Sequence, residues 1–523
     1  MTTLTLEEAL KKAQQLYQAQ RSSEAENLVR QILQQVPDHP KALELLGLIA
    51  FDYGHAEEGN QIFQQALEAA PHDALIWCNF GHCHLRQLQL AEALHAFQQA
   101  CNLKPDFAVA HNLRGVVLQE LHRPQEALEA FETTLKLKPS AEVFYNLAVA
   151  YRKQDRYPEA LHATAQVLQN IPAHADALNN RSLIRQELGQ FSKAKEDLDQ
   201  ALSIAPQHGE AHFNRGCLGI LTSDLPEAWS DYEWRWYTQG SPPKHYEGKP
   251  IWTGEILSKQ DTIYVHADAG FGDSIQFARY LQHMSQLKAA QIYFACQPAL
   301  VDLFKAQNWP VNIISLKETI PDSVTHTIPL LSLPFYHQTH LENIPEPEAY
   351  LEFPASYSKN LTLPAELEEK KLKIGITWSG SPDNSINSKR SCEFKYFAKL
   401  IQQFPDIAWI SLQKDVQPDF CEPQSVENFW DVGDTLDTFS DTAQWLHSLD
   451  LIISVDTSLV HLSGALGKPT WVLLPSVPDW RWFLEREDTP WYSQTRLFRQ
   501  PQRGQWKDVF WQVKKALQAE LLD

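Results

Sequence analysis

Three polar segments of this sequence carry residue types suited to holding and turning over a charged substrate. The first, His266-Ala-Asp-Ala-Gly-Phe-Gly-Asp-Ser274, lies where an apolar run gives way to a helical one. Gly270 and Gly272 let the backbone approach a bound group closely. Asp273, at the helix start, is a carboxylate that the helix dipole keeps ionised and available to a proton. The plainer reading makes Asp273, with Gln276 three residues on, a capping-box start for that helix.

The second segment, Leu451 to Pro469, reads as an apolar strand, a polar corner, a helix and a proline stop. Asp456, Thr457 and Ser458 sit on the corner, where free helix N–H groups would hold a phosphate or diphosphate, with Leu459 and His461 on the helix behind. An ordinary N-cap, with His461 on the packed side, is the alternative. The third segment, Thr377 to Ser391, is a long polar loop after a strand, headed by Trp378, Ser379 and Gly380. Its Lys389 and Arg390 are clustered positive charges of the kind a polyanionic ligand needs, or a solvated pair.

Other chemistries lack their residues. The sequence has no GxSxG elbow, Walker loop or HExxH motif. Asp197-Leu-Asp199 lies in a helical repeat, and the pairs His82/His84 and His337/His340 have no third ligand, so no metal is expected. Trp480, Trp482, Phe483, Trp491 and Tyr492 crowd together as core or as stacking surface.

The elements that would position these segments alternate in type. Strand-like Thr262 to His266, Gln291 to Cys296 and Val311 to Ser315 are separated by helix-like Ser274 to Met284 and Pro298 to Gln307. A second set has strands at Leu372 to Trp378, Ile407 to Leu412, Leu451 to Val455 and Thr470 to Leu474, and a final helix from Trp506 to Leu522. This alternation predicts two doubly wound α/β halves, with the ligand outside the carboxyl ends of the strands.

The earlier half of the chain is different. Pro37, Pro71, Pro105, Pro139, Pro172 and Pro206 recur every 33 or 34 residues, with Gly81, Ala93, Phe97 and Ala100, then Gly115, Ala127 and Phe131, in register between them. This resembles the tetratricopeptide repeat, a pair of antiparallel helices per unit, and predicts an α-solenoid of about six units and a less regular seventh. A Gly/Pro-rich stretch, Gly240 to Pro250, reads as a linker. The expected domains are a tetratricopeptide superhelix over 1–238, a Rossmann-like half over 239–355 and a second over 356–523.

The three polar segments together resemble the heptosyltransferase-like glycosyltransferases of the GT-B fold. Gly270-Phe271-Gly272-Asp273 is similar to that family's Gly-Leu-Gly-Asp loop, and Asp456-Thr457-Ser458-Leu459-Val460-His461 to its Asp-Thr/Ser-Gly-x-x-His motif, with Ser458 replacing the glycine. The resemblance spans roughly Asp261 to Gln500 and includes the tail Pro478-Asp-Trp-Arg-Trp482. It implies two Rossmann-like domains in GT-B arrangement, a metal-independent transfer from a nucleotide-sugar, and inversion at the anomeric carbon if displacement is direct. Asp273 is then the general base on the acceptor side. Donor contacts are expected from Gly270, Gly272, Trp378, Ser379, Gly380, Lys389, Arg390, Asp456, Thr457, Ser458, Leu459 and His461. The nucleotide-sugar is substrate, and no cofactor is implied.

A further set lies in the repeats. Asn79, Asn146, Asn180 and Asn214 share one repeat position, with Asn112 displaced by one, and would present an amide ladder to the backbone of a protein or peptide partner. Similar ladders occur in the repeats of protein O-GlcNAc transferases; a merely hydrated polar face is the alternative. The net charge of −20 argues against a general nucleic-acid binder, and no run reaches membrane-spanning length. The start lacks a secretory apolar stretch, so a cytoplasmic location is expected, and the seven scattered cysteines, without a CxxC pair, indicate neither a disulfide framework nor a zinc knuckle. The rival to an enzyme is a non-enzymatic repeat scaffold with a degenerate α/β module, for which Ser458 and Asp268 leave room.

Overall fold

The computed structural model describes residues 5–238, 248–286, 291–345, 348–353, 364–382, 387–414 and 427–521. Most of the stretch read as a linker, 240–247, lies outside them, as does 383–386 of the third polar segment. The chain divides into two compact units, Met1–Pro206 and Gln207–Asp523.

The first unit is a run of paired helices from Leu6–Gln18 to Phe191–Ile204. Each proline of the period follows directly on the C-cap of a helix, as Pro105 follows Lys104 and Pro139 follows Lys138, because it offers no N–H for a further turn. Within a pair the helices touch where glycine faces phenylalanine. A Cβ on Gly81 would lie 2.9 Å from the Phe97 ring, and one on Gly115 2.5 Å from Phe131. Gly115→Ala is therefore expected to cost about 1–3 kcal/mol by overpacking, read as earlier loss of helical signal on thermal unfolding.

The turn inside each pair holds one residue in the left-handed region: Gln20, Gly54, Leu88, His122, Asp155 and Gly189. Ser223, with φ of 70°, repeats the device between the helices Gly209–Leu221 and Leu225–Tyr232. This seventh pair belongs to the second unit. There its Trp229 is buried against Phe277 and Trp480, and its indole N–H donates to the Thr339 carbonyl at 3.1 Å.

The rest of the second unit holds two sheets, both wholly parallel. Strands β1 (Thr262–His266), β2 (Gln291–Cys296), β3 (Asn312–Ser315) and β4 (His326–Pro329) pair in the order β3-β2-β1-β4. Strands β5 (Leu372–Thr377), β6 (Ile407–Ser411), β7 (Phe429–Asp431), β8 (Leu451–Val455), β9 (Thr470–Leu474) and β10 (Thr495–Arg499) pair as β10-β9-β8-β5-β6-β7. The second is the full doubly wound order, reversing direction between β5 and β8, and the first is its opening part, reversing between β1 and β4. Helices cover such sheets on both faces, so β1, β6, β8 and β9 are buried at every position, and their sequences are largely apolar, broken only by Thr262, His266, Ser411, Ser454 and Thr470.

The helix expected from Ser274 to Met284 is broken in type. An α-helix runs only over Phe271–Phe277, and a 3-10 stretch continues over Ala278–Gln286. The carbonyls that would carry the α-helix onward are taken: Ile275 by the Tyr350 hydroxyl at 2.8 Å and Gln276 by Arg279 Nε at 2.9 Å. The expected helix from Pro298 to Gln307 likewise splits into a 3-10 turn, Pro298–Leu300, and a short α-helix, Val301–Lys305.

Candidate functional site

The carboxyl ends of β1, β5 and β8 release the three polar segments, and two adjoining cavities lie among them. One, of about 430 Å³, is lined by Gly270 to Asp273, Gly380, Ser381, Arg390, Asp456, Thr457, Ser458, His461, Asp479 and Arg481. The other, of about 350 Å³, is lined by Phe271, Ser379, Gly380, Leu412 to Lys414, Leu436 to Phe439, Thr457, Ser458 and Leu459, among others. Both sheets contribute to each, and both sizes fall in the range of small-molecule sites.

The close meeting of the two halves depends on Gly272. A Cβ there would stand 2.8 Å from the His461 ring and 3.4 Å from Ser458 Cα, so the helices Phe271–Phe277 and Ser458–Ala465 approach only because the side chain is absent. The start of the loop is braced from the 3-10 turn Glu233–Tyr237 that follows the seventh helical pair. Asp268 accepts from Arg235 Nη2 at 3.0 Å and from the Leu331 N–H at 3.1 Å, and Arg235 also donates to Ser332 Oγ at 2.7 Å.

Asp273 faces the first cavity with both oxygens engaged. Its Oδ2 accepts the Gly270 N–H at 2.9 Å, so the helix is capped at Gly270 with Asp273 as the third residue of its first turn, three residues earlier than the expected Asp273–Gln276 box, and its Oδ1 accepts from Arg481 Nη2. Arg481 reaches across from the other half, lies over the Trp480 ring at 4.0 Å, and also donates to Gln276 Oε1 at 2.9 Å and Asp479 Oδ1 at 2.6 Å. In the sequence, Asp479 and Arg481 belong only to the tail Pro478 to Trp482 of the family resemblance. Nothing in their spacing from the other segments, some 200 residues away for Asp273, marks them as cleft residues.

After β5, the Trp378 and Ser379 N–H groups donate to Gln413 Oε1 at 3.1 and 2.9 Å, and the Gly380 N–H to Asn387 Oδ1 at 2.8 Å. Gly380 leaves room for Arg390, whose Nη2 lies 2.5 Å from where a Cβ would be. Trp378 requires a correction: its ring is fully buried in the core against Phe394 and lines neither cavity, because strand alternation turns it to the packed face. Lys389 lines neither cavity as well, while Arg390 one residue on lines the first.

His461 is buried, shares a 2.9 Å hydrogen bond between Nδ1 and the Tyr492 hydroxyl, and stacks on Trp482. Burial, then the charges of Arg279 and Arg390, push its imidazole down to about 3, so it is neutral when folded. The unfolded chain therefore binds a proton that the folded chain refuses, and stability falls as pH drops below about 6.5. His461→Gln should flatten that fall by about 1.4 kcal/mol per pH unit between pH 6 and 4, seen in denaturant curves of the two proteins. The crowded aromatics are core: Trp482, Phe483, Trp491 and Tyr492 are buried to 1% or less.

In the first unit the asparagine ladder turns its amides on neighbouring repeats. Asn79 Nδ2 donates to Glu44 at 2.6 Å, Asn146 Nδ2 to Asn112 Oδ1 at 3.0 Å, and Asn112 in turn to Glu142 at 2.8 Å. Asn180 accepts from Arg152 at 2.8 Å and leaves its own buried Nδ2 without a partner. Asn214, in the second unit, is half-buried. No helix among the described residues is long and apolar enough to cross a membrane.

Comparison with known proteins identifies tetratricopeptide repeat matches over residues 10–74, 78–141, 112–177 and 175–208. The chain is 22% identical over 327 residues to Protein FlbA of Caulobacter vibrioides, a match covering 58% of this chain and 54% of that protein; it thus spans about half the length of its curated relative. Among solved structures it is similar to Pseudomonas aeruginosa pilF, at 19% identity and a TM-score of 0.37, covering 39% of this chain and 94% of the other. It is also similar to YrrB, a TPR protein with an unusual peptide-binding site, at 22% identity and a TM-score of 0.32, covering 35% and 95%. The N-terminal part of this chain is thus built of tetratricopeptide repeats.

Proposed function

We propose that the second unit is a glycosyltransferase of GT-B type, moving a sugar from a nucleotide-activated donor to a hydroxyl acceptor, and that the repeats recruit a protein that carries the acceptor. What supports the reading is the joint lining of one cavity by segments that leave β1 and β8 beside the reversal points of two doubly wound sheets. The second cavity, between Gly380, Lys414 and Thr457, is the donor's nucleotide site on this reading. The donor phosphates lie where the cavities join, against Thr457, Ser458 and the backbone of Gly380, with Arg390 opposing their charge.

Transfer then needs a carboxylate to receive the acceptor's proton, and Asp273 and Asp479 both face the first cavity. Neutral His461 sits at the base of the same corner and orients the donor. A scaffold without catalysis remains the second reading, favoured by the engagement of both Asp273 oxygens. Mass spectrometry of glycosylated products from cells with and without the gene separates the two. A sugar adduct lost with the gene and restored by it supports transfer, and identical products in both support the scaffold.

A further inference from the structure

The first cavity contains three carboxyl groups, and they are not equivalent. Asp273 has one oxygen on the Gly270 N–H and the other on Arg481, so both favour the ionised form, and a proton arriving there must compete with a guanidinium. Asp456, buried at the end of β8, has Arg390 as its charge partner. Asp479 is held by one oxygen only: Oδ1 accepts from Arg481 Nη1 at 2.6 Å and from the Arg481 N–H at 3.1 Å. Its Oδ2 has no hydrogen-bond partner among the described residues, and a fifth of its side chain is open to the cavity.

We infer that Asp479 is the catalytic residue that takes the acceptor's proton, with Asp273 acting through Arg481 as a positioning residue. This rests on the sugar-transfer reading and names the acid–base group of that same site. The acceptor oxygen bonds to the anomeric carbon as the bond from that carbon to the leaving phosphate breaks. The phosphate departs with the electron pair, and the acceptor's proton passes to Asp479 Oδ2 and later to water.

The setting suits the task. Arg481 divides its donors among Asp273, Asp479 and Gln276, so it fixes the Asp479 carboxyl without claiming both oxygens. Facing Asp479 are Arg390, the Asp456 carboxyl and, from the seventh helical pair, Cys217, with Tyr232 beside Arg481. Burial and then the Asp456 charge push the Asp479 carboxyl up to about 7, against the opposing Arg481 N–H and the Arg390 charge. A base with that affinity is better matched to neutral pH than a carboxylate clamped by an arginine.

The test uses the full chain and UDP-, GDP-, dTDP- and CMP-sugars, with water or an added hydroxyl compound as acceptor, and follows nucleotide release. With the donor that turns over, Asp479→Asn is expected to lower kcat at least 100-fold with unchanged donor Kd. Asp273→Asn is expected to lower it about tenfold while keeping the rising limb of the pH–rate profile, which in the wild type lies near pH 7. A limb near pH 4, a limb that disappears in Asp273→Asn, or an Asp479→Asn rate within threefold of wild type overturns the assignment to Asp479 and leaves sugar transfer standing. The wild-type profile decides by itself if Asp479→Asn does not fold. No turnover by the wild type with any donor overturns the transfer reading, and this inference with it.

Discussion

Replacing Arg279 by alanine will lower the unfolding free energy of the second unit by about 3–5 kcal/mol. Arg279 is fully buried, yet no carboxylate is paired with it among the described residues. Its guanidinium is held by three carbonyls, donating from Nε to Gln276 at 2.9 Å and from Nη1 to Trp491 at 2.7 Å and Pro345 at 3.2 Å. It lies over the Tyr350 and Tyr492 rings at 4.6 and 4.8 Å. These groups come from the first half, the crossing between halves and the second half, so one side chain ties three stretches together. Alanine leaves acceptors unpaired, loses the cation–π contacts and opens a void, each of which costs. In calorimetry the transition of this unit should fall by on the order of 5–10 °C. A shift of under 2 °C would show that water or rearrangement replaces the tie.

Arg390→Met will weaken donor binding by about 100-fold, the value of about 2–3 kcal/mol for charge-assisted hydrogen bonds to a phosphate. The guanidinium is poised at Gly380 and on the cavity that holds Asp456, with a buried Nε that makes no hydrogen bond. Nearly the same chain volume remains in methionine, so packing around Gly380 is kept while the charge goes. Isothermal titration with the bound nucleotide-sugar reads the change directly. Equal affinity of the two proteins would move the phosphate away from Arg390, and with it the donor.

Much of this architecture is written in local pattern. The proline period and its Gly–Phe partners give the helical pairs, since each mark has a contact within its own repeat, as Gly115 has with Phe131. Strands β1, β2, β8 and β9 are largely apolar, with β1, β8 and β9 buried at every position, and stand within a residue of their expected limits. The short outer strands β4, β7 and β10 escape notice because edges mix polar and apolar residues, as in His326-Thr-Ile-Pro329 and Thr495-Arg-Leu-Phe-Arg499.

The site is legible where a loop and its chemistry are contiguous. Gly272 and His461 were both singled out, and they meet across the halves. Arg481, Asp479 and Arg279 were not, because their meaning comes from partners far along the chain, and an Arg or Asp beside tryptophans has no periodic signature. Trp378 failed for the opposite reason. Its neighbours Ser379 and Gly380 do line the cavities, and only the direction of one side chain separates it from them.

Thermal unfolding of the full chain with and without a panel of nucleotide-sugars tests the central claim most directly. A donor that binds the folded second unit alone, at about 100 times its Kd, must stabilise it by about 2.7 kcal/mol. The account predicts that at least one nucleotide-sugar raises that transition while the matching free sugar does not. An unmoved transition across the whole panel at millimolar concentration would contradict it.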